Sequence, residues 1–153
     1  MKASGVIRST VPAVLMAMAL ALAGCETMSS MWGSTKSFFG GGKVTLSGSQ
    51  EVPPVTTSAS GSGSIKVADD KSVSGSVSTS GIAGIAAHIH MGATGQNGPV
   101  IVPLKQGPDG TWSVPAGAKL TNAQYEAYKE GNLYVNVHSA AHRGGEIRAQ
   151  LKP

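Results

Sequence analysis

The chain has 153 residues, 13% of them Asp, Glu, Lys or Arg and only 5% aromatic, with a formal charge of +4. Two of its twelve basic residues, Lys2 and Arg8, fall in the first 24 positions, so the remainder carries ten basic against eight acidic side chains. That balance, with no basic stripe interleaved with aromatics, argues against a nucleic-acid partner.

The chain opens on a basic start followed by "VPAVLMAMALALA", residues 11–23. This apolar run is shorter than the roughly 20 residues a bilayer span needs, so residues 1–24 read as a signal peptide. The run ends in "LAGC", residues 22–25, which resembles a bacterial lipobox. That resemblance implies cleavage before Cys25 and lipidation of its thiol; the plainer alternative is a chance cysteine behind an ordinary signal peptide. Multiple acyl chains would anchor the protein stably to a membrane. Glu26 rather than Asp after the cysteine leans, by the same resemblance, toward the outer membrane on its periplasmic side. The only cysteine thus used, no disulfide remains for the folded part. Residues 25–42, with "ETMSSMWGSTKSFFGGG" after the cysteine, read as a flexible tether.

Residues 43–153 are one domain's worth of chain, and their signal is period two. In "SVSGSVSTS", residues 72–80, Val73, Val77 and Thr79 share one face and four serines the other, the pattern of a half-buried antiparallel strand. Similar strands are predicted at 44–47, 62–67, 84–91, 100–104, 111–114, 133–138 and 146–151. The turn clusters "ADDK", "TGQNGP", "QGPDG" and "HRGG" separate several of them. One helix is predicted in "LTNAQYEAYKEGN", with Thr121 and Gln124 as a capping box and Gly131 at C′. Eight short strands and one short helix predict an all-β Greek-key sandwich or small barrel, superoxide-dismutase-like or immunoglobulin-like. With so few aromatics, the core is expected to be Val, Ile, Leu and Ala.

All four histidines lie in two knots, "AAHIHMG" at 86–92 and "NVHSAAHRGGEIRAQ" at 136–150. Alternation puts Ile85, Ala87, Ile89 and Met91 toward the core, and His88 and His90 on the outer polar face with Gly84 and Ala86 leaving room beside them. Alternation likewise puts Tyr134, Asn136 and His138 outside, opposite Leu133, Val135 and Val137. At i and i+2 on a strand, Cα atoms stand about 6.5–7 Å apart, so two imidazoles can converge on one ion. Should the two strands lie together, His88, His90 and His138, with His142 as a fourth ligand, make a thiolate-free site. Such a site suits copper first and zinc as the alternative. Asn136, Glu146 and Arg148 are candidates to orient the rings by hydrogen bonds. Neutral imidazole is required, so metal should be released as pH falls below about 6.5. The plainer reading is that the histidines decorate the surface or pin loop backbone.

Hydrolytic chemistry finds no support: there is no G-x-S-x-G elbow and no Walker-type phosphate loop. Glu51, Glu126, Glu130, Asp69, Asp70 and Asp109 fall in turns or on the helix and read as solvated. The balance leans away from an enzyme, with copper redox chemistry left open.

"LSGSQEVPPVTTSASGSGS" at 46–64, "AHIHMGATGQNGPV" at 87–100 and "GNLYVNVHSAAHRGGEIRAQL" at 131–151, in that order, resemble the CHRD domain. That module is named for chordin, a secreted animal inhibitor of bone-morphogenetic-protein signalling, and it also occurs in bacterial exported proteins. Met91 departs from the small residue usual after the second histidine. The resemblance implies an all-β Greek-key fold and little about activity. The His-x-His strand is also similar to the copper half of the copper–zinc superoxide dismutases, without their zinc loop or disulfide, so fast dismutation is not expected. Two functions are therefore carried forward. One is an envelope-anchored, copper-binding lipoprotein for metal capture, transfer or slow redox chemistry. The other is a non-enzymatic module that binds an envelope protein or matrix component.

Overall fold

The computed structural model describes residues 42–153. The leader, Cys25 and the tether up to residue 41 lie outside the described residues.

Among the described residues, nine strands form one antiparallel sheet: β1 (Lys43–Ser47), β2 (Ser60–Val67), β3 (Val73–Ser80), β4 (Gly84–Met91), β5 (Val100–Pro103), β6 (Lys105–Gln106), β7 (Thr111–Ser113), β8 (Leu133–Ser139) and β9 (Ile147–Leu151). Their order is β5-β4-β8-β9-β1-β2-β3-β7-β6. The chain crosses over from β3 to β4 and from β7 to β8, which gives the non-sequential neighbours of a Greek-key plan rather than an up-and-down one. All eight predicted strands are present, and the ninth is the two-residue β6.

One short segment nearly closes the sheet into a barrel. Residues 100–103 pair with β4, and residues 105–106 pair with β7 at the far edge. Between them the Leu104 amide donates to the Ala87 carbonyl at 2.9 Å, and Gln106 Nε2 reaches the Gly84 carbonyl at 3.4 Å. A single stretch thus supplies both edges and leaves little unpaired backbone.

Period-two alternation delivers Leu46, Ile65, Val77, Ile89, Val102, Leu133, Val135, Val137 and Ile147 to the interior. The core is not purely aliphatic as expected: Trp112 and Tyr128 are inside it. Each brings a large apolar ring to a core otherwise built of aliphatic side chains. Helix α1 (Asn122–Lys129) starts where predicted: Thr121 Oγ1 accepts from the Gln124 amide at 3.2 Å, and Gln124 Oε1 accepts from the Thr121 amide at 2.8 Å. Gly131, just past its end, has a φ of +74°. The helix buries Tyr128, whose hydroxyl donates to the Lys152 carbonyl at 3.3 Å.

Two face assignments on β4, one inward and one outward, fail for one reason. The β4–β8 register passes from Gly84↔Ser139 to Ala86↔His138, so Ile85 is an extra residue in a bulge. The alternation slips there, leaving Ile85 56% exposed. Gly84 is turned instead toward the core, where a Cβ would meet Trp112 and Val137, so it makes no room for the histidines.

Candidate metal centre

Strand β8 brings the two histidine knots together. It pairs directly with β4, matching Ala86 to His138, His88 to Asn136 and His90 to Tyr134 on the face away from the apolar core. His88, His90 and His138 each offer a ring nitrogen, and these three atoms lie within 4.8 Å of one another. Among the described residues they are the group so placed. His88 Nδ1 and His138 Nε2 stand 3.0 Å apart. Two nitrogens each about 2.0–2.1 Å from one ion, at angles between octahedral and tetrahedral, are separated by roughly 2.9–3.4 Å. That pair already has the spacing, and the third nitrogen needs a side-chain rotation.

Backbone carbonyls set the tautomers of two rings. His90 Nδ1 lies 2.9 Å from the Gly98 carbonyl, and His138 Nδ1 lies 2.9 Å from the Arg143 carbonyl. A carbonyl can only accept, so both Nδ1 atoms carry the proton and both Nε2 atoms present lone pairs. This is the arrangement by which a ligating histidine is usually oriented. Gly98 is held in turn by its amide, which donates to Tyr134 Oη at 3.2 Å. A side chain at position 98 would collide with the Met91 carbonyl, which explains a glycine at this close approach.

The face that carries these groups is not solvated, contrary to the expectation from alternation. All seven residues of β8 are buried, and His90 and His138 are only 7% and 8% exposed. The loop at 92–98 and the segment at 51–57 lie over the ladder and convert its polar face into a second interior. Arg148, 1% exposed, donates to the Ala93 carbonyl and Gln150 Oε1, both at 3.1 Å, and more distantly to Asn97 Oδ1. Asn97 Nδ2 donates to the Val52 carbonyl at 2.7 Å, which ties the two covering segments to each other. The Arg148 guanidinium carbon sits 3.4 Å over the Tyr134 ring, and the His90 ring stacks on Tyr134 at 4.7 Å with 4° between planes. Both cannot occupy one face at these separations, so the phenol is sandwiched between them.

Burial lowers the pKa of His88, and the neighbouring His138 and His90 lower it further. Burial likewise pulls His90 down, against the opposing hydrogen bond to Gly98. Both effects favour the neutral, ligating form, so these rings stay available to a metal at lower pH than free imidazole would.

His142 does not join the group. Its backbone closes the turn after β8: its carbonyl accepts from the Gly145 amide at 3.1 Å, and its amide donates to Ser139 Oγ at 3.2 Å. The turn so formed carries the Arg143 carbonyl to His138. Glu146 is buried as well, but its carboxylate accepts from Thr57 Oγ1 at 2.7 Å and serves to fasten the covering segment. Burial alone would raise Glu146, yet hydrogen bonds from Ser139 and Thr57 and the charge field of His142 hold it below the usual carboxylate range.

Sequence reasoning missed Glu51, read as a solvated turn residue. It is 4% exposed. Burial pushes its carboxyl up, opposed by Arg148, by a hydrogen bond from Asn136 and by the Val52 backbone. Its only sequence signal was an apolar flank, Val52-Pro53-Pro54. Asn136 Nδ2 lies 3.5 Å from the Gly144 carbonyl. Both Glu51 Oε1 and Asn136 Oδ1 are buried without a hydrogen-bond partner, as is His90 Nε2. Gly145 lies so close that a Cβ there would collide with Glu51 Oε1 and Asn136 Nδ2.

A family model described as the CHRD domain matches residues 43–151. No curated protein and no solved structure matches the chain.

Proposed function

The chain belongs to the CHRD-domain family, and from that premise we propose that its domain is a copper-binding module, with zinc as the alternative metal. His88 Nδ1, His90 Nε2 and His138 Nε2 would hold the ion. A copper ion so bound would supply slow one-electron chemistry or simply be captured and passed on. The residues orient and shield it. The Gly98 and Arg143 carbonyls hold protons on the far ring nitrogens, and the covering segments exclude water from one side. The observation that carries this reading is the convergence of three ring nitrogens within 4.8 Å, two of them with tautomers set by backbone. We read the protein as a lipoprotein anchored through Cys25, on the periplasmic side of the outer membrane of a bacterial envelope.

Titrating the protein with Cu(II) and Zn(II) and comparing His88→Ala and His138→Ala tests the site. Each substitution should abolish tight binding, and binding that survives both would eliminate a shared centre. Replacing Cys25 by Ser should shift the protein from membrane to soluble fractions, and unchanged partition would end the anchor.

A second reading has one observation in its favour. The outer face of β1, β2 and β3 forms a shallow depression of about 770 Å³ lined by Lys43, Thr45, Ser62, Lys66 and Ser76 among others. A hydroxyl-rich surface with two lysines fits an acidic or glycan-bearing envelope or matrix component. Under this reading the histidines only brace loops, and neither metal nor chelator should move the melting temperature.

A further inference from the structure

Three buried acceptors lie together beside the histidine cluster, and two of them face the same way. His90 gives its Nδ1 proton to the Gly98 carbonyl, so its Nε2 is a lone pair, and that atom has no partner. Asn136 directs Nδ2 toward the Gly144 carbonyl at 3.5 Å and toward the Glu51 carboxylate. With two acceptors holding the amide nitrogen, Oδ1 is turned away from them, toward the histidine side, where it too is buried and unpartnered. Asn136 is the direct cross-strand partner of His88 and stands two residues before His138 on the same face of β8. Two buried lone pairs without a donor are costly unless a cation lies between them. One proton shared between His90 Nε2 and Asn136 Oδ1 would pair these two atoms alone, whereas a metal ion there would also engage the ring nitrogens of His88 and His138.

We infer that Asn136 Oδ1 is the fourth donor of the metal centre, making a site of three imidazoles and one amide oxygen, with Glu51 as the positioning residue that holds the amide in that sense. This rests on the three-histidine reading above and replaces His142, which lies outside the cluster. The consequence is selectivity by oxidation state. A hard oxygen donor suits divalent ions such as Cu(II) and Zn(II), whereas Cu(I) favours soft ligands and gains little from an amide. The centre is therefore tuned to the oxidised ion.

The test is competition titration of the full-length chain with Cu(II), Zn(II) and, anaerobically, Cu(I), on wild type, Asn136→Ala, Asn136→Asp and His138→Ala. Loss of the amide should weaken Cu(II) and Zn(II) by about tenfold or more, the scale on which metal-site partners act, and leave Cu(I) affinity nearly unchanged. Asn136→Asp should lower the melting temperature without metal, because it sets a carboxylate beside Glu51. It should also enlarge the metal-induced rise above that of wild type and shift the Cu(II) visible band. If Asn136→Ala does not fold, the Asn136→Asp comparison decides alone. Equal weakening of Cu(I) and Cu(II), an unchanged Cu(II) affinity in Asn136→Ala, or a smaller metal-induced rise in Asn136→Asp would overturn the assignment. A wild type that binds neither divalent ion, or a His138→Ala variant that binds as wild type does, would instead remove the three-histidine reading and this inference with it.

Discussion

Strands β3 and β8 read alike in sequence, each alternating apolar and polar residues, yet they end in different surroundings. In β3, Val73 and Val77 are buried while Ser74 and Ser78 remain exposed, as a half-solvated antiparallel strand should. In β8 both sets are buried, Leu133, Val135 and Val137 in an apolar core and Tyr134, Asn136 and His138 in a polar one. Strand chemistry alone does not account for this. Segments that share no strand with β8, at 51–57 and 92–98, fold over its second face, whereas the serine face of β3 is left open. Polar groups under that cover are costly without a partner, which is why the network of Arg148, Gln150, Asn97 and Gly98 is so dense there and why the three unpartnered atoms stand out. Functional chemistry gathers where a polar face is covered, because desolvation gives each contact more weight.

Substitutions can break this comparison at several strengths. The largest effect is expected on the apolar side of β8: Leu133→Ala should cost about 2–5 kcal/mol in chemical denaturation, from lost burial plus the cavity left behind. A cost near zero would mean that β8 is not central to the core.

Next comes the polar side of the same strand. Metal at a hundredfold excess over its Kd should stabilise the native state by about 2.7 kcal/mol, read as a rise in melting temperature. The rise should vanish in His90→Ala, and its persistence there would separate stabilisation by metal from the histidine cluster.

The pH dependence sharpens the contrast further. His88 and His90 have folded pKa values below that of free imidazole. The unfolded chain therefore takes up protons first, beginning near pH 6.5. Stability from the neutral rings is complete above that pH and is lost as pH falls toward the folded values. Glu51 works in the opposite sense: its raised folded value makes its contribution fullest at low pH, and it is lost as pH rises through that value. Denaturation of the metal-free protein between about pH 7.5 and 5.5 should thus show a decline that flattens in a His88→Gln, His90→Gln double variant. A flat profile for the wild type would contradict the burial of these rings.

The smallest effect belongs to the open face. Ser78→Ala on β3 should change stability by no more than about 0.5 kcal/mol, as exposed substitutions generally do. A cost well beyond that would show that this face is covered too.

Much of the architecture was readable before any coordinates. Valines at period two, turn clusters rich in Gly, Asn and Asp, and a Thr-x-x-Gln start foretold eight strands and the helix with its cap, because these are local preferences that short stretches express by themselves. The pairing of His88 and His90 on one face was equally legible, since i and i+2 on a strand share a face by geometry. Other features were not. The bulge at Ile85 shifts one residue and leaves no mark in composition. The burial of Glu51 depends on a loop folding back over strands that are distant in sequence. Whether His138 and His142 would both join His88 and His90 turned on the register between β4 and β8 and on the turn that follows, and only His138 does. Alternation determines which side of its own strand a residue occupies, and that much belongs to the sequence. Which strands become neighbours, in what register, and which face the loops then seal are decided only when the whole chain closes. Those outcomes are set by competition among long-range contacts, and no local stretch encodes them.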